Sequence, residues 1–219
     1  EKNWVTVSAY GSKDDFKPII QLSNQRDDIC LLITDLKAKA PIVTANTYIE
    51  VTDLDLRNAN LGIYVRTMLS PESKGLVIKN CDISNIWCDE VLSKLGHGAT
   101  VDDMKETANH PQGNLPIINK GSLAVTETGG GANEWLLSTA IRFSGAGSKI
   151  FENVDINNNV FDNCTVGVEG IRMNDVKVSD CVNTGSYGGV IRFSADCKNV
   201  KVSRVRLLGG SEKYTFFGG

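Results

Sequence analysis

No apolar run in this chain approaches the roughly 20 residues that a membrane-spanning helix needs, so a helical membrane span is excluded. Proline is scarce, with five in 219 residues, and histidine scarcer, with His97 and His110 alone. Basic residues do not predominate. Lys and Arg number 23 against 26 Asp and Glu, a net charge of −3, and a nucleic-acid-binding face needs an excess of the other sign. Six cysteines occur, at Cys30, Cys81, Cys88, Cys164, Cys181 and Cys197, but none has CxxC spacing, so a zinc site is not expected. An even count would permit disulfides in an exported protein. The better expectation is free, packed thiols, because Cys behaves as a small buried hydrophobe. Gly129-Gly130-Gly131 lacks the Gly-Lys-Ser/Thr continuation of a phosphate-binding loop, and no local Ser-His-Asp or Cys-His signature is present. Neither an initiator Met nor a signal peptide stands at Glu1, which leads us to expect a mature or excised module.

What remains is an ordinary hydrophobic content of 41%, 21 Gly and many Asn and Asp. That composition suits a folded chain of short strands and tight corners. At 219 residues it suits a single domain, 1–219, with a substantial core.

Internal repetition organises the rest. The pattern apolar-x-apolar-x-(Asp/Asn)-apolar fits LLITDL from Leu31, IEVTDL from Ile49, LVIKNC from Leu76, VDINNN from Val154, VKVSDC from Val176 and VKVSRV from Val200. VTVSAY from Val5 is a weaker seventh. Most starts are separated by 18 to 27 residues, the period of a solenoid rung, and each segment alternates as strands do. A second strand follows the first: Gly62-Ile63-Tyr64-Val65, Ala140-Ile141-Arg142-Phe143, Gly170-Ile171-Arg172-Met173 and Val190-Ile191-Arg192-Phe193. Asn58, Asn80, Asn85, Asn158, Asn163 and Asp180 fall between strands, where a left-handed corner accepts Asn or Asp. The expected fold is therefore all-β, a parallel β-solenoid of about seven coils, one per segment.

The series breaks once, with 78 residues between Leu76 and Val154. Residues 87–138 are therefore a long insertion between coils. Thr100 followed by Asp102 and Asp103 reads as a helix start, so the insertion is expected to be partly helical. Long insertions on economical repeats are where sites tend to lie.

The runs DINNNVFDNCTVGVEGIRM, GLVIKNCDISNI and VTVSAYGSKDDFKPII resemble right-handed parallel β-helix proteins of the pectate-lyase-like group. The resemblance covers most of the chain outside 87–138. It implies an exported, carbohydrate-facing bacterial protein, secreted or extracellular. The group holds polysaccharide lyases, pectin hydrolases, phage tailspikes and a β-helical xylan-binding module, and fold does not choose among them. Pectin hydrolases of this group carry NTD, DD, GHG and RIK in that order. This chain has Gly96-His97-Gly98, but no NTD or RIK, and Asp102-Asp103 follows rather than precedes it. Calcium-dependent lyases need converging carboxylates. Asp35, Asp53 and Asp180 align between rungs, and Asp55 and Asp82 sit two places later. A corner ladder accounts for them, although such oxygen-rich corners also suit a structural Ca²⁺.

The functional expectation rests on an outward column of Tyr64, Arg142, Arg172 and Arg192, flanked by Trp87, Trp135 and Tyr187. Guanidinium forks donate to hydroxyls and carboxylates, and aromatic faces stack on sugar rings. Three aligned arginines repel one another unless acids or a ligand intervene. These residues suit a non-catalytic, monomeric carbohydrate-binding module for a plant cell-wall polysaccharide such as xylan. It would require no cofactor and would be appended to a larger carbohydrate-active enzyme. The alternative is a polysaccharide lyase or glycoside hydrolase of the same class.

Overall fold

The computed structural model describes residues 4–9, 16–22, 29–34, 47–59, 61–67, 72–86, 139–145, 149–164, 166–184, 190–194, 196–208 and 216–218. These residues form strands laid down three to a coil. The first coil holds β1 (Val5–Ser8), β2 (Ile19–Gln21) and β3 (Ile29–Thr34); the second, β4 (Thr47–Thr52), β5 (Asp55–Ala59) and β6 (Leu61–Thr67). The third holds β7 (Glu72–Lys79), β8 (Asp82–Ile86) and β9 (Thr139–Gly145); the fourth, β10 (Ile150–Asn157), β11 (Val160–Cys164) and β12 (Val166–Ile171). The fifth holds β13 (Met173–Ser179), β14 (Val182–Asn183) and β15 (Ile191–Ser194); the sixth, β16 (Lys198–Ser203), β17 (Arg206–Leu207) and β18 (Phe216–Gly218).

Every third strand joins the same sheet, so the chain builds three parallel six-stranded sheets. This is the topology of a parallel β-helix. No helix occurs among the described residues. The partly helical insertion expected at 87–138 lies outside them.

Period-two alternation turns one side of each strand inward. In the first sheet the inward line is Val5, Ile49, Leu76, Val154, Val176 and Val200, joined rung to rung in register. A second line two residues on runs Val7, Val51, Ile78, Ile156, Val178 and Val202. The second sheet adds Leu56, Ile83 and Phe161, and the third adds Ile63, Ile141, Val168 and Ile191. Apart from Val5 and Val202, which are exposed at the end coils, these make one continuous core. Cys81, Cys164 and Cys181 are buried in it, and Cys30 and Cys197 pack against it. Burial pushes the Cys81 thiol up to about 11 and raises Cys164 and Cys181 as well.

The corners follow residue chemistry. Asn58, Asn80, Asn85, Asn158, Asn163 and Asp180 all have left-handed φ, between 51° and 58°. Their side chains stack between coils. Asn85 Nδ2 donates to Asn58 Oδ1 (3.2 Å), and Asn163 Nδ2 donates to Asn85 Oδ1 (2.8 Å). At the preceding corner Asn158 Nδ2 donates to Asn80 Oδ1 (3.1 Å), and Asn80 donates to Asp53.

Three sequence expectations are corrected. The segment at Leu31 belongs to the third sheet, where β3 pairs with β6, and not with the strands starting at Ile49 and Leu76. Each coil has three strands rather than two, because a short second-sheet strand follows each Asn/Asp corner. Finally, Gly170-Ile171-Arg172-Met173 is not aligned with Ala140-Ile141-Arg142-Phe143. Val168 pairs with Ile141, Glu169 with Arg142 and Gly170 with Phe143, a slip of three residues. The reason is the corner into β13. Arg172 holds φ of 52° there, and Met173 opens the first-sheet strand beside Phe151.

Candidate functional site

On the third sheet the inward residues Ile63, Ile141, Val168 and Ile191 are each followed by an outward one. The outward column is therefore Leu32, Tyr64, Arg142, Glu169 and Arg192, in direct register from β3 to β15. Phe217 occupies the next register position. Tyr64, Arg142 and Arg192 stand in the column as the sequence suggested. Arg172 does not. It sits at the corner, where its carbonyl accepts the Phe151 N–H at 3.2 Å. Glu169 takes the place assigned to it. Trp87, Trp135 and Tyr187, like His97, His110 and the Asp102-Asp103 pair, lie outside the described residues.

Two glycines keep this sheet tightly stacked. A Cβ on Gly62 would lie 2.5 Å from the Ala140 carbonyl oxygen, and one on Gly167 would lie 2.5 Å from that of Val190. These are close backbone approaches that only glycine permits. They also supply the signal that could have found Glu169. Gly167-Val168-Glu169 repeats the order of Gly62-Ile63-Tyr64, as Gly170-Ile171-Arg172 also does, but of the two only Gly167 meets the carbonyl oxygen of the next coil as Gly62 does.

The column is not an open surface along its whole length. Leu32 is 44% exposed, but Tyr64 is only 2% exposed. The Arg142 and Glu169 side chains are 12% and 11% exposed, and that of Arg192 is 27% exposed. The Arg142 guanidinium lies 5.8 Å from the Tyr64 ring centroid, a cation–π contact. Glu169 stands between the arginines, with Oε2 3.8 Å from Arg142 Nε and Oε1 3.7 Å from Arg192 Nη1. The Thr139 hydroxyl donates to Glu169 Oε2 at 3.5 Å.

One carboxylate thus serves two guanidiniums, at separations beyond the roughly 2.7–2.9 Å of a strong charge-assisted hydrogen bond. Arg142 Nη1 is buried and has no hydrogen-bond partner. Burial lowers the pKa of Arg192 from its ordinary value; Glu169 opposes that shift and Arg142 adds to it. The cluster carries one more positive than negative charge, with Arg192 as its most accessible member.

The aligned carboxylates have partners. Asp53 accepts from the Thr52 hydroxyl (2.8 Å) and from Asn80. Asp55 and Asp82 are in register on the outward face of the second sheet; Arg57 pairs with Asp55, and Lys17 Nζ lies 2.9 Å from Asp82. Arg204 grips Asp180 through two hydrogen bonds, of 2.5 and 2.7 Å. Asp35 lies outside the described residues. Among the described residues no group of three or more His, Cys, Asp or Glu could hold a metal ion. No family model, curated protein or solved structure matches this chain.

Proposed function

We propose that this chain is a non-catalytic carbohydrate-binding module on a right-handed parallel β-helix, secreted as part of a bacterial carbohydrate-active enzyme. Its ligand is a linear plant cell-wall polysaccharide of the xylan kind, and binding needs no cofactor. The observation that carries this reading is the register column Tyr64, Arg142, Glu169 and Arg192. Arg192 is the most accessible donor of that column, and Glu169 links it to the more deeply set Arg142. A forked guanidinium donor suits hydroxyl-rich chains, and Asp53, Asp55, Asp82 and Asp180 already have partners within the protein.

Affinity electrophoresis through soluble xylan and a panel of other polysaccharides tests it. Arg192→Ala removes the most accessible donor and should weaken retention roughly tenfold, the worth of one charge-assisted contact. Arg172→Ala, off the column, should leave retention at the wild-type value. Wild-type retention by Arg192→Ala would remove the column from the reading. The alternative, a lyase or hydrolase, is favoured by one feature, a carboxylate at Glu169 inside the column. Unsaturated-product absorbance or reducing-sugar release that is abolished by Glu169→Gln would establish that alternative and displace the binding module.

A further inference from the structure

Arg142, Glu169 and Arg192 bury more charge than they pair. Two guanidiniums share one carboxylate, and neither ion pair closes: Glu169 stays 3.8 Å from Arg142 Nε and 3.7 Å from Arg192 Nη1. The Thr139 hydroxyl draws on the same carboxylate, at Oε2. Other pairs on the solenoid are matched one to one, as in Lys79 with Glu50, Lys17 with Asp82 and Arg204 with Asp180. Arg142 Nη1 is sealed from solvent and, among the described residues, has no acceptor. The Tyr64 ring, 5.8 Å from the Arg142 guanidinium, attracts it but carries no counter-charge.

A buried donor without an acceptor is costly, and a buried charge without a counter-charge more so. We propose that a small monovalent anion of the chloride kind binds against Arg142 Nη1 and cancels the surplus charge of the cluster. Three observations select this class. The surplus is a single positive charge, so one negative charge balances it. Nη1 is sealed, so the occupant is compact and gives up its water readily. The donor is a guanidinium, itself weakly hydrated, which suits a weakly hydrated ion. A water molecule would satisfy the N–H but not the charge.

Thermal melting of the full chain tests this, with chloride replacing the strongly hydrated fluoride at constant ionic strength. The melting temperature should rise by about 5 °C once chloride exceeds its dissociation constant about 50-fold. Arg142→Met leaves Glu169 and Arg192 as a balanced pair, and its melting temperature should not respond to the exchange. Glu169→Gln leaves two guanidiniums with no carboxylate, and its response should be steeper than that of wild type. If circular dichroism shows Arg142→Met to be unfolded, wild-type crystals grown in bromide replace it. An anomalous-scattering peak against Arg142 Nη1 is then expected. A wild-type chain indifferent to chloride, an equal response in Arg142→Met, a weaker one in Glu169→Gln, or a bromide crystal without that peak would each overturn the proposal. No polysaccharide enters these measurements, so the anion site stands or falls separately from the binding of a glycan.

Discussion

Asn159 is a polar residue at an inward position of the core, and its removal separates hydrogen bonding from packing. It is fully buried and sits in line with Cys81 below and Cys181 above, at the position just before Asp82, Val160 and Val182. Its Oδ1 accepts the Cys81 N–H at 2.9 Å, and its Nδ2 donates to the Ile78 carbonyl at 3.0 Å. Without it, two buried backbone groups lose these side-chain partners, at about 1–3 kcal/mol each. Asn159→Cys restores a side chain that the neighbouring rungs already accommodate, so it should retain most of the packing and lose only the hydrogen bonds. We expect a loss of about 3 kcal/mol for Asn159→Cys. Asn159→Ala should lose about 1 kcal/mol more, because it also leaves a small cavity. At roughly 2–4 °C per kcal/mol for a domain of this size, Asn159→Cys should melt about 6–12 °C below wild type. Urea denaturation and calorimetry under reducing conditions measure both differences. A Cys variant as stable as wild type would refute the reasoning, since the two backbone groups would then need no side-chain partner.

Asn85 holds φ of 54°, donates to Asn58 and accepts from Asn163. Asn85→Ala should cost about 2–3 kcal/mol, and Asn85→Gly about 1 kcal/mol less, because only glycine escapes the left-handed penalty. Urea midpoints would show this order, and an Ala variant as stable as the Gly variant would count against the strain argument. Burial, the largest effect on Cys81, raises its thiol to about 11, offset in part by the Leu54 backbone. Above the ordinary thiol range near 8.5 the unfolded chain releases protons that the native state keeps, so native stability should fall between about pH 9 and 11. Cys81→Val, matching the apolar Leu54 and Val205 at the same corner position, should make that fall shallower in urea titrations at a series of pH values; an unchanged slope would exclude Cys81 as a cause.

The parts of this fold that were legible in the sequence are those where backbone geometry selects residue type. A left-handed corner admits few residues, so Asn58, Asn80, Asn85, Asn158, Asn163 and Asp180 could be located before any strand was paired. Strand alternation is weaker information, because it is the same in every sheet. That is why the Leu31 segment passed for a first-sheet strand, and why about seven coils were expected where the described residues form six. The second sheet was missed for a different reason. Val182–Asn183 and Arg206–Leu207 are two residues each, too short to display a period, and the five-residue Asp55–Ala59, Asp82–Ile86 and Val160–Cys164 follow the first-sheet strands so closely that they read as their continuation. Of the candidate site, Tyr64, Arg142 and Arg192 were legible because Ile precedes each of them and alternation then turns them outward. Glu169 was not, since Ile171-Arg172-Met173 imitates Ile191-Arg192-Phe193 more closely than Val168-Glu169-Gly170 does.

The slip of three residues changes the chemistry of the column more than its position. Three aligned arginines would repel one another and would call for an external anion or hydroxyl-rich chain to hold them together. With Glu169 between Arg142 and Arg192, each neighbouring pair is of opposite sign, and most of that repulsion is relieved within the protein. A ligand then contributes less than the sequence implied. The proposed ligand would meet the surplus charge through the partly exposed Arg192, while Arg142 is spent on Tyr64 and Glu169 beneath the surface. On the proposed function, binding at this column would therefore rest on one guanidinium, worth about 1.5–3 kcal/mol, and not on a ladder of three. High affinity would have to come from several such contacts along one polysaccharide chain, through the rise in effective concentration that linked sites provide.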